Sequence, residues 1–71
     1  NKMALPTKGE IFYKLIEHLR LAQEDAAMLA HLNNADGDKM GGVIAKGWLG
    51  ISELIEKMVH HVTQLATKGF Q

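Results

Sequence analysis

Residues 40–66 constrain the fold more than any other stretch of this chain. Met40, Ile44, Trp48, Ile51, Ile55, Met58, Val62 and Leu65 recur at steps of four and three, with Val43, Leu54, Val59 and Ala66 beside them. A period of 3.6 residues gathers all of these on one side of a helix, over an arc of roughly 100–160°. Lys46, Glu53, Lys57, His60, Gln64 and Thr67 fall on the other side. A helix with so broad an apolar stripe must bury it against something.

Upstream, Thr7-Lys8-Gly9-Glu10 has the form of a capping box, in which the threonine hydroxyl and the glutamate carboxylate each satisfy a free amide of the first turn. The first helix is therefore expected at about 8–33. Its main stripe is Ile11, Phe12, Leu15, Ile16, Leu19, Ala22, Ala26, Leu29 and Ala30, large at the start and small from Ala22 onward. Leu21, Met28 and Leu32 form a second line nearly opposite. They suit either a second interface or a bend that tucks the helix end inward.

Asn33-Asn34-Ala35-Asp36-Gly37-Asp38 is the one clear turn signal, with Asp36 or Asp38 available to cap the next helix. A connection of residues 34–37 makes its neighbours antiparallel. The second helix is expected over about 38–67, with Gly69 as a C-terminal stop. Gly41, Gly42, Gly47 and Gly50 weaken its first half, since each costs about 1 kcal/mol against alanine. They either admit a close neighbour or break the helix near Gly47. Because Met40, Val43 and Ile44 keep phase with the rest, the continuous helix is favoured.

Seventy-one residues make a single domain. A chain of this length buries only about 60% of its unfolded surface, so a lone copy is marginal without help, usually from disulfides, a metal or a partner. There is no cysteine to form a disulfide. Eight basic and eight acidic side chains cancel, which removes self-repulsion and offers no strongly basic face to a phosphate backbone. Uncharged runs reach only about ten residues, far short of the roughly 20 that span a bilayer. The opening Asn-Lys-Met-Ala-Leu-Pro is too short for a secretory signal. The expectation is a soluble, cytoplasmic protein without stable membrane insertion.

The chemistry-bearing residues are few. His18, His31, His60 and His61 are best read as surface histidines, because adjacent helical residues point about 100° apart and do not chelate together. Glu56 and His60 share a face and could supply two metal ligands. A dimetal bundle, however, needs Glu-x-x-His segments pointing inward, and Glu-x-x-His does not occur. Asp36-Gly37-Asp38 is only a fragment of a calcium loop. Ser52 stands in mid-helix, and no glycine-rich loop follows a strand, so no catalytic residue and no cofactor is expected. In a helix-turn-helix reading, residues 21–32 would precede a reading helix at 38–50. That helix would show little beyond Lys39 and Lys46 to a groove, which counts against nucleic acid.

The most economical structure is all-α: an antiparallel helical hairpin that dimerises into a four-helix bundle. Phe12, Leu15, Leu19, Trp48, Ile51, Ile55, Met58 and Val62 are the expected dimer core. Leu21, Met28, Leu32 and Leu49 are the expected contact with one further protein. The function this implies is a small non-enzymatic interaction or regulatory protein acting as a homodimeric scaffold. A helix-turn-helix nucleic-acid binder is the alternative, with a histidine/carboxylate metal bundle behind it.

Overall fold

The computed structural model describes residues 5–35, 37 and 39–69. Two helices account for almost all of them: α1, Lys8–Ala35, and α2, Lys39–Gly69. The capping box forms as expected. The Glu10 amide donates to Thr7 Oγ1 at 3.1 Å, and the Thr7 amide donates to Glu10 Oε1 at 2.8 Å. At the other end, the Gly37 amide donates to the Asn34 carbonyl at 3.2 Å, and Gly37 takes a φ of +80°. That left-handed backbone is where glycine is required, and it reverses the chain. The expected caps Asp36 and Asp38 lie outside the described residues.

α2 is continuous through its four glycines. It also runs two residues beyond the expected end, through Gly69, and α1 extends to Ala35. Of the two accounts of the glycines, the break is therefore excluded. Close approach also fails at Gly42, Gly47 and Gly50, because a Cβ built at any of them meets nothing within 4 Å. Gly41 alone is buried.

The helices pack side by side along a seam with its own four-and-three rhythm. On α1 the least exposed residues include Phe12, Ile16, Leu19, Gln23, Ala26, Ala30 and Asn33; on α2 they include Gly41, Ala45, Trp48, Ser52, Ile55, Val59, Val62 and Ala66. Alternating residues of this kind interlock as knobs into holes. The buried apolar side chains among the described residues are small: Ala26, Ala30, Ala45 and Val59.

This corrects the expected centre of the α2 stripe. Val59, expected on its flank, is buried, and Ser52 lies in the seam. Met40, Ile44, Ile51, Met58 and Leu65, expected at the centre, lie to one side and are 41–64% exposed. The physical reason is width. One neighbouring helix covers only part of so broad an arc, and the small residues allow the closest approach.

Candidate interaction surface

An antiparallel pair has two sides, and flanking residues show which is which. On one, Arg20 Nη1 meets Glu56 Oε1 at 2.6 Å across the seam. Gln23 Nε2 donates to the same oxygen at 2.9 Å and to the Ser52 carbonyl at 3.4 Å. His60 Nε2 lies 3.2 Å from Glu56 Oε2. Glu56 thus sits half-buried at the edge of the seam rather than pointing fully outward. Its carboxyl is held below the ordinary carboxylate value, chiefly by the Gln23 amide and then by Arg20. Toward the turn, this Arg20 side opens into a cleft lined by Ala27, Asn34, Lys39, Lys46 and Leu49, among others.

The other side is apolar. Near the open end of the hairpin, Pro6, Ile11, Leu15 and Leu65 surround a hollow of about 490 Å³. Leu15 and Leu65 mark this as the side that flanks the seam opposite Arg20. The same helical positions, repeated every seven residues, carry Ala22 and Leu29 on α1 and Ile44, Ile51 and Met58 on α2. Next to these on α2 stand Met40, Gly47, Leu54 and His61. The Leu15 face is therefore an apolar strip along the length of the hairpin, uncovered by the chain itself.

The expected core residues divide accordingly. Phe12, Leu19, Trp48, Ile55 and Val62 are half-buried within the hairpin, whereas Leu15, Ile51 and Met58 belong to the uncovered face. Leu21, Met28, Leu32 and Leu49 are all exposed, so α1 does not bend to tuck them in. They do not share one surface. Leu21 and Met28 stand opposite the seam, Leu32 leans toward the Leu15 face, and Leu49 lies in the cleft on the Arg20 side. Gln23, Ser52 and Arg20 are functional-looking residues absent from the expected set. Gln23 keeps step between Leu19 and Ala26, which is the signal that places it in the seam.

No protein-family model, curated protein or solved structure matches this chain. What it does must therefore be read from its own surface. Among the described residues, no three or more acidic, histidine or cysteine side chains gather to hold a metal ion. Among the same residues, no helix is long and apolar enough to cross a membrane. The helix after Gly37 is a single 31-residue element lying antiparallel to α1, not the short crossed helix of a helix-turn-helix. Arg20 is paired with Glu56 across the seam and adds no unpaired cation to Lys39 and Lys46.

Proposed function

We propose that this protein is a small interaction protein that works as a homodimeric helical scaffold, its two hairpins closing into a four-helix bundle through their Leu15 faces. The observation that carries this reading is surface area. The folded chain exposes 5721 Å², whereas a compact monomer of its 7.8 kDa mass exposes about 4,400 Å². The excess of about 1,300 Å² exceeds the roughly 800 Å² that each partner contributes to a stable interface. The shape agrees. The radius of gyration is 16.7 Å, against about 11 Å for a compact chain of this length. Zero net charge leaves little long-range repulsion between copies.

In this reading the exposed pair Leu21 and Met28, on the outer edge of α1 and outside the pairing, is the surface that holds another protein, and Leu49 in the cleft is a separate apolar contact. The chemistry such a surface offers is contact rather than transformation.

Sedimentation equilibrium over a concentration series gives the test. The wild-type chain is expected to have twice its formula mass at about 100 μM, a concentration well above the dissociation constants of standard-sized interfaces. Ile51→Asp and Met58→Asp place charge on the Leu15 face without touching the seam, and should be monomeric while retaining helical circular dichroism. Leu21→Ser and Met28→Ser should leave the mass unchanged. A monomeric wild-type chain would overturn the reading.

A further inference from the structure

We infer that the second copy docks with each helix reversed over its own counterpart, α1 on α1 and α2 on α2. The two-fold axis crosses the Leu15 face at the level of Ala22 and of the step between Ile51 and Leu54. The inference rests on the self-association proposed above and specifies its geometry.

The spacing along the uncovered side of α2 is the same in both directions. Its line is Met40, Ile44, Gly47, Ile51, Leu54, Met58, His61 and Leu65, again at steps of four and three. Reversed on itself, the line sets Met40 against Leu65, Ile44 against His61, Gly47 against Met58, and Ile51 against Leu54. Large meets small where it matters. Nothing lies within 4 Å of a Cβ built on Gly47, and Met58 is an exposed, flexible side chain able to fill that gap.

α1 has the same property about its own centre. Reversal about Ala22 brings Leu15 opposite Leu29 of the second copy. The adjacent line, Ile11, His18, Asp25 and Leu32, pairs Ile11 with Leu32 and His18 with Asp25. The two polar residues of that line thus meet each other, and each can satisfy the other by hydrogen bonding or, with His18 protonated, by charge.

These two centres were set by different residues on different helices, yet one axis serves both. The cross-seam bonds from Gln23 to Ser52 and from Arg20 to Glu56 fix the relative height of the helices. Together with the bond from Gln23 to Glu56 they put Ala22 level with residues 53–57, the nearest of these within about one residue's rise of the α2 centre. The competing arrangement lays α1 over α2 of the second copy about an axis parallel to the helices. By the same heights it would press Asp25 against Ile51 and His18 against Met58. Burying a carboxylate against apolar groups is costly.

The chain has no cysteine, so single cysteines report the arrangement cleanly. Ala22→Cys, Leu15→Cys and Leu29→Cys are oxidised separately and in pairs at a concentration where sedimentation gives a dimer. A22C alone is expected to yield roughly tenfold more cross-linked dimer than L15C or L29C alone, because a disulfide needs Cα atoms within about 7 Å. Copies of Leu15, or of Leu29, would stand about 20 Å apart. Mixing L15C with L29C should restore cross-linking to the level of A22C. A dimer in which L15C and L29C each cross-link alone as readily as A22C, or in which none does, overturns the axis while leaving self-association intact. A monomeric mass overturns both.

Discussion

Two glycines in this chain answer opposite demands. Gly37 holds a φ of +80° at the reversal, a conformation that costs an ordinary side chain about 1–2 kcal/mol. Gly50 is helical, with open space where its Cβ would be, so it carries the helix penalty of about 1 kcal/mol for no contact within the hairpin. Gly37→Ala is therefore expected to lower unfolding free energy by about 1 kcal/mol. Gly50→Ala should raise it by a similar amount, about 1 kcal/mol. Urea titrations monitored by helical circular dichroism check both, and equal signs for the two would contradict the backbone assignment.

The element scale turns on how α1 and α2 hold their register. Gln23, Arg20 and Glu56 form a polar clasp at the edge of a mostly apolar seam, and polar groups at such positions fix alignment at some loss of stability. The clasp also makes the hairpin acid-sensitive. Because the folded Glu56 carboxyl is held below its unfolded value by Gln23 and Arg20, its stabilisation is complete above the ordinary carboxylate range. It is lost as pH falls through the lowered folded value. The wild-type melting temperature should accordingly fall below about pH 4, and Glu56→Gln should flatten that fall. Indistinguishable acid limbs would show that the clasp contributes nothing.

At this scale the sequence was partly transparent. Thr7 and Glu10 marked where α1 starts, and Asn34 and Gly37 where it turns, because caps and turns depend on residues close in the chain. The rotation of α2 was not legible. An apolar arc as wide as that of residues 40–66 does not say which part faces its neighbour, and the large residues drew attention from Ala45, Ser52 and Val59, where the helices approach. The place of Glu56 at the seam was not legible for a related reason: its partner Arg20 is brought near only by the packing.

At the scale of the whole molecule the hairpin is a slab, with principal extents of 55 × 29 × 10 Å, one helix thick and therefore coreless on one side. If a second slab completes it, folding and association are one event, and the melting temperature must rise with protein concentration. A midpoint independent of concentration over a hundredfold range would show that the single slab is stable by itself. The hairpin also brings Pro6 and Thr7 beside Val62 and Ala66, so the start of α1 and the last turns of α2 lie at the same edge. Under a reversed pairing those edges point in opposite directions, separated by something near the length of α2, about 45 Å. The two open edges of such a bundle would then stand at a set spacing, like the end marks of a ruler.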